Sequence, residues 1–252
     1  MKLTSLHRKV LFFLLLLGLW ELLGRLKLWP SYLFPSPLQV AQAMGDGFKS
    51  GTYLKGIGAS MARLITGYVI SAVLGITLGL AVGCVKWLDD TVGALLLALQ
   101  TLPSICWLPL ALIWFGLNEK AILFMVVIGA VLSISLAAED GVRNVPPLLM
   151  RAARNMGAKG LTLYYQVAFP AALPAIVTGM KLGWSFAWRA LMAAELLYGN
   201  VGLGQLLMVG RELNDIAQVI AVMIVIVSLG LIVDRLVFSR LERNVRLRWG
   251  TG

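Results

Sequence analysis

Histidine and charge are scarce in this chain of 252 residues, and the few reactive side chains stand alone. His7 is the only histidine and sits among basic residues, so no histidine-based catalytic or metal site is available. Cys84 and Cys106 are the only cysteines. Both fall inside apolar stretches and read as small apolar residues, with no disulfide framework and no metal-ligand pair. The apolar stretches hold no paired carboxylates, and no serine or cysteine has a base at catalytic spacing, which argues against an embedded enzyme. The phosphate-cradling pattern G-x-x-x-x-G-K-[ST] is missing; its nearest fragment, Gly157-Ala158-Lys159-Gly160, lacks the spacing. Only 13% of residues are charged, against about 25% in soluble domains.

What the chain has instead is apolar length. Hydrophobic residues make up 59% of it, and mean hydropathy is +0.85. The excess lies in long blocks, the composition of a polytopic membrane protein. No remaining segment is large enough for a second domain, so residues 1–252 read as one membrane domain. The net charge of +10 would suggest nucleic acid in a soluble protein. Here Lys and Arg cluster at the ends of apolar blocks, where they orient a membrane protein and meet anionic lipid, so no nucleic-acid partner is expected.

Six blocks read as transmembrane helices: 10–23, with an extension to 28, then 62–85, 91–115, 121–138, 175–198 and 216–238. A hydrocarbon core about 30 Å thick needs about 20 helical residues at a rise of 1.5 Å. Backbone amides in lipid must be satisfied within a segment, and the alternation of barrel strands is missing, so the predicted fold is all-α. A cleaved signal peptide is the rival reading of the first block. No small-x-small site follows it, and the chain runs on through Glu21, Arg25, Lys27 and Trp29, so the helix reads as retained.

Six spans place both termini on one side. Thirteen Lys and Arg fall on that side and seven on the other, while Lys181 and Arg189 lie within the fifth span. The positive-inside rule then puts both termini and the loop 139–174 in the cytoplasm of a multi-pass plasma-membrane protein. Between the first two spans, Ser36, Pro37 and Gln39 form a helix start with a capping box. Leu38, Ala41, Met44 and Phe48 follow at helical spacing, which predicts an interfacial helix on the outer face.

The loop 139–174 carries Arg151-Ala152-Ala153 and Arg154, then Gly157, then Val167-Ala168-Phe169-Pro170. Residues 150–156 predict a short helix whose alanines allow close approach of another backbone, ended by Gly157 in the C′ position. Pro170 and Pro174 are expected to bracket the start of the fifth span.

This pattern resembles the cytoplasmic loop of binding-protein-dependent ABC importer permeases: Glu-Ala-Ala, three residues, Gly, nine residues, Ile-x-Leu-Pro. The spacing here is the same, with Arg151, Val167 and Phe169 as departures. Arg151 reverses a charge, so no contact of the family Glu is carried over. Phe34-Pro35-Ser36-Pro37, Ser60 with Arg63, Leu102-Pro103, Leu108-Pro109-Leu110, Trp114-Phe115-Gly116, Ala171-Ala172-Leu173-Pro174, Ala193-Ala194-Glu195 and Gly202-Leu203-Gly204 all resemble the nitrate/sulfonate/taurine branch, whose transmembrane domain is MetI-like. The resemblance implies a permease subunit for a small, anionic solute. It would pair with a second permease copy, two ABC ATPase subunits and a periplasmic or lipid-anchored substrate-binding protein. ATP-Mg would sit on the partner ATPase, and this chain would bind no cofactor. Arg151, Ala152, Ala153, Arg154, Gly157 and Pro170 would couple it to the ATPase. The rival is a self-sufficient secondary transporter or channel.

The fifth span also carries charge. An arginine near a helix centre costs about 2.5–3.5 kcal/mol on insertion scales, so Arg189 should face protein or a water-filled cavity. It either lines the solute path and attracts an anion, or bonds backbone carbonyls or a carboxylate on another span. Glu195 is expected near the outer end, reaching water or a neighbour. In the third span Gln100, Pro103 and Pro109 predict a kink that shapes the path or is fixed by packing. Gly67, Gly75, Gly79 and Gly83 line one side of the second span, a smooth surface for helix contact.

Overall fold

Long apolar runs give long helices, and several breaks fall at proline or glycine, as at Gly51, Pro103, Gly116 and Pro146. The computed structural model describes residues 5–26, 30, 33–198 and 200–249, and every regular element among them is helical. They are α1 (Ser5–Arg25), α2 (Pro37–Lys49), α3 (Thr52–Cys84), α4 (Lys86–Gln100), α5 (Ser104–Phe115), α6 (Glu119–Arg143), α7 (Pro147–Asn155), α8 (Tyr164–Leu197), α9 (Leu203–Glu212) and α10 (Ile216–Val245). The extension of the first block to residue 28 lies outside the described residues.

Among the described residues, four unbroken helices are long and apolar enough to cross a membrane: α3, α6, α8 and α10. The pair α4 and α5 supplies a fifth only if counted together, because it bends by 101°. The kink expected in the span 91–115 is a sharp break between two helices. Pro103 has no amide hydrogen and disfavours helical backbone at the residue before it, so α4 stops short of it; Pro103 itself is extended, with ψ of 136°. Pro109 does not kink anything; it sits in the first turn of a new helical stretch, Leu108–Phe115, where its missing amide costs nothing. α1 is 21 residues long but carries Arg8, Lys9, Glu21 and Arg25, and it is not among the four.

The chain divides into two compact units, Met1–Ala59 with Gly199–Val227 and Ser60–Tyr198 with Ser228–Gly252. In the first unit, α2 starts as its sequence dictates. The Gln39 amide donates to Ser36 Oγ at 3.3 Å, and the Ser36 amide donates to Gln39 Oε1 at 2.8 Å. Toward the protein α2 turns Val40, which is buried, with Ala43 and Met44 half-buried, while Leu38, Ala41 and Phe48 of the apolar stripe are exposed. At its end α2 meets Tyr53, whose ring lies where a Cβ on Gly47 would be.

The second unit is built on α6, most of which is buried. The glycine stripe of α3 meets it as expected. A Cβ on Gly67 would lie 2.6 Å from Val126 Cγ1, one on Gly75 2.8 Å from Ile134 Cβ, and one on Gly79 would overlap the Ser135 carbonyl oxygen. Side chains larger than hydrogen would push α3 off α6. On the other side, Gly183 of α8 approaches Ile134 in the same way. Leu64, Ile122, Met125, Val126, Ile134 and Leu191 fill the space between, each at most 1% exposed. Tyr68 packs edge-on against Trp184 with centroids 5.1 Å apart, and its hydroxyl donates to the Met180 carbonyl at 2.7 Å.

The fifth predicted span is longer than expected. Helix runs from Gly160 through a π-turn at Tyr164–Ala168 to Leu197, so Pro170 and Pro174 lie inside it and do not bracket its start. The π-turn is the physical reason. It closes with the Phe169 amide donating to the Tyr164 carbonyl five residues back, which resets the register where Pro170 can donate nothing.

Candidate functional site

The segment between α6 and α8 presents a short amphipathic rod. α7 begins at Pro147, with Pro146 extended ahead of it. The rod ends as its sequence predicts. Gly157 has φ of +93°, the Ala158 amide donates to the Ala153 carbonyl, and the Met156 amide to the Ala152 carbonyl, each at 3.0 Å. Glycine reaches that left-handed backbone without strain, and the bonds satisfy carbonyls the helix end would leave bare. One side of the rod faces the protein through buried Ala153 and half-buried Met150. The other side leaves Leu148, Arg151, Ala152 and Asn155 exposed at one- and two-turn spacing. Leu148 is 76% and Met156 87% exposed, so large apolar side chains stand uncovered beside Arg151 and Arg154. Pro170 is not part of this surface; it is half-buried in α8.

A second cluster joins the ends of three helices. Arg63 of α3 donates from Nε and Nη2 to the two oxygens of Glu119, each at 2.6 Å, and from Nη1 to Glu195 Oε1 at 2.8 Å. Ser60 Oγ reaches Glu195 Oε2 at 2.7 Å. The fork onto Glu119 is the bidentate geometry that only arginine offers. Glu195, 1% exposed, is therefore a buried ion-pair partner; of the two expected outcomes, water or a neighbour, it meets the neighbour. Glu119 escaped the sequence reading, because it follows the N-cap Asn118 and looks like an ordinary first-turn acid.

The other expected path residues do come together. Gln100, Pro103 and Arg189 line one cavity of about 230 Å³, with Thr101, Ser104, Trp107 and Phe186 among its other walls. Glu195 is not in that wall. The bend between α4 and α5 supplies Thr101 to Ser104, and α8 supplies Phe186 and Arg189 across from it. Arg189 Nε donates to the Ser185 carbonyl at 3.1 Å, and its guanidinium lies 4.7 Å from the Phe186 ring centroid. Arg189 thus has a backbone carbonyl on one nitrogen and a cavity beside the rest. The Gln100 amide donates to Ser133 Oγ at 2.9 Å, which holds it in the wall. Thr101, Ser104 and Phe186 were missed, though a polar pair flanking Leu102-Pro103 was the available signal. Among the described residues no group of side chains could hold a metal ion.

Comparison with known proteins gives a consistent answer. The family described as binding-protein-dependent transport system inner membrane component matches residues 71–246. The nitrate import permease protein NrtB of Synechocystis is 31% identical over 81% of this chain and 77% of its own length. A protein of Escherichia coli strain K12, named provisionally as aliphatic sulfonates transport permease protein SsuC, is 30% identical over 93% of this chain and 88% of its own length. A chain from an inward-facing structure of the MetNI methionine ABC transporter shares the fold, with a TM-score of 0.63 at 20% identity over 77% of this chain and 96% of that one.

Proposed function

We propose a function from one premise: this chain belongs to the family of binding-protein-dependent transport system inner membrane components. It is the permease subunit of an ABC import system, a membrane-embedded transport subunit and not an enzyme. Its family works with a separate ATPase and a substrate-binding protein, which favours this reading over a self-powered carrier.

Two permease copies form the path, each seated on one of two ATPase subunits that hold ATP-Mg, and a periplasmic or lipid-anchored binding protein delivers the solute. The assembly lies in a bacterial inner membrane with α1 as a sixth span and both termini in the cytoplasm, as the distribution of Lys and Arg supports. The solute is a small anion of the nitrate, sulfonate or taurine kind, by analogy with the relatives' names. ATP favours one arrangement of the ATPase pair and thereby shifts the permease between inward- and outward-open populations. Arg151, Ala152, Ala153 and Arg154 form the contact with the ATPase, Gly157 ends the rod, and Pro170 fixes the helix that carries the motion upward.

The observation that carries the coupling role is the uncovered side of α7, where Leu148 and Met156 stand exposed next to Arg151 and Ala152 on a capped rod. Co-purification with the ATPase tests it. Leu148→Asp with Ala152→Glu, both on the exposed side, should abolish ATPase capture and uptake while membrane insertion stays normal. Full capture of the ATPase by that variant would overturn the assignment.

A further inference from the structure

We propose that the cavity between the α4–α5 bend and α8 is an anion subsite inside the permease, built around Arg189 and large enough for one small oxyanion. The proposal deepens the anion-importer reading and rests on it.

Four observations converge. First, two other cations on or beside Arg189's own helix, Arg63 and Lys181, have carboxylates. Arg63 has Glu119 and Glu195, and Lys181 lies 3.4 Å from Asp234 and 3.6 Å from Glu242. Among the described residues Arg189 has none; one nitrogen meets the Ser185 carbonyl and Phe186 lies under the guanidinium. The two terminal amino groups, four donors in all, are left for the cavity. Second, no carboxylate lines this cavity, so its walls carry one net positive charge. The 500 Å³ cavity beside Arg143 is the opposite case, walled by Asp89, Asp90, Glu139 and Asp140. Third, non-helical backbone at membrane depth is tolerated where it is buried in protein or lines a cavity. The break at residues 101–103 opens onto this one. Fourth, about 230 Å³ is below the roughly 300–1,000 Å³ of sites for drug-sized ligands. A nitrate or a small sulfonate with part of its hydration fits, and the positive, carboxylate-free wall favours an anion over a neutral solute of similar size.

Gln100 is the polar group opposite. Its amide nitrogen gives one hydrogen to Ser133 and keeps one N–H that can donate to an anion's oxygen, leaving the charge to Arg189. The shared chemistry is a monoanionic oxygen cluster, and planar and tetrahedral anions are separated by the test.

The test uses the full complex of permease, ATPase and binding protein in proteoliposomes. It reads uptake of labelled nitrate and of labelled taurine per ATP hydrolysed. Arg189→Gln should lower uptake per ATP at least tenfold for whichever anion the wild type carries, and Arg189→Lys should recover part of it. Gln100→Glu keeps a partner for Ser133 while adding a negative charge to the wall, and it should lower uptake by a similar factor. It decides the matter if Arg189→Gln fails to assemble. Unchanged uptake per ATP in an assembled Gln100→Glu or Arg189→Gln complex would overturn the subsite while leaving the importer reading intact. ATP-independent uptake by the wild type would instead remove the importer reading itself.

Discussion

Arg63 and Arg189 lie in the same compact unit and carry the same charge, yet their surroundings are opposite. Arg63 is buried to 10% side-chain exposure, with a carboxylate on each of two other helices. Arg189 is exposed beside a cavity, with a carbonyl of its own helix and an aromatic ring. A cation that holds helices together is given acids on the neighbours. A cation without them is held in place but keeps its charge available, which is what a permeating anion can use. Lys181 stands between the two cases, half-exposed with two carboxylates at the edge of ion-pair distance.

Thermal melts of the purified complex would sharpen that contrast. Arg63→Leu strands Glu195 as an uncompensated buried charge, and removing one partner of a buried pair costs about 3–5 kcal/mol. It should give the largest drop in melting temperature, and a drop no larger than that of Lys181→Leu would break the comparison. A yardstick without charge comes from Gly157→Ala, which forces a Cβ into a backbone at φ of +93°. Strain of this kind costs of order 1–3 kcal/mol, and the loss should appear as weaker ATPase capture more than as a lower melting point. Lys181→Leu removes a half-exposed pair worth about 0–1 kcal/mol, so its melt should shift slightly. Arg189→Leu should have the smallest effect on the melt, or raise it, while uptake collapses. A melt as damaged as that of Arg63→Leu would make Arg189 a structural residue.

Local chemistry made much of this legible in advance. Ser36 and Gln39 specify their capping box within four residues, and Gly157 specifies the end of α7 in the same way. The stripe Gly67, Gly75, Gly79 and Gly83 announced a close contact, because only a helix neighbour explains so many missing side chains in register. What the sequence hid was non-local or geometric. The acid bound by Arg63 through two oxygens lies 56 residues away at Glu119, and nothing near either residue names the other. Pro103 signals a break but does not set its angle, which depends on how α4 and α5 pack against α6. Pro170 looks like a helix stop, but the π-turn before it absorbs the missing amide and the helix continues. Gln100, Pro103 and Arg189 were picked out separately by polarity and by proline, and only the bend brought them to one cavity.

The most direct test of the central claim, that a separate ATPase drives this permease through the exposed side of α7, is uptake by proteoliposomes with and without the ATPase. The account predicts accumulation of labelled nitrate or taurine only when the ATPase, ATP-Mg and the loaded binding protein are all present. It also predicts that Leu148→Asp with Ala152→Glu abolishes that accumulation. Accumulation by the permease alone, sustained by an ion gradient, would contradict it.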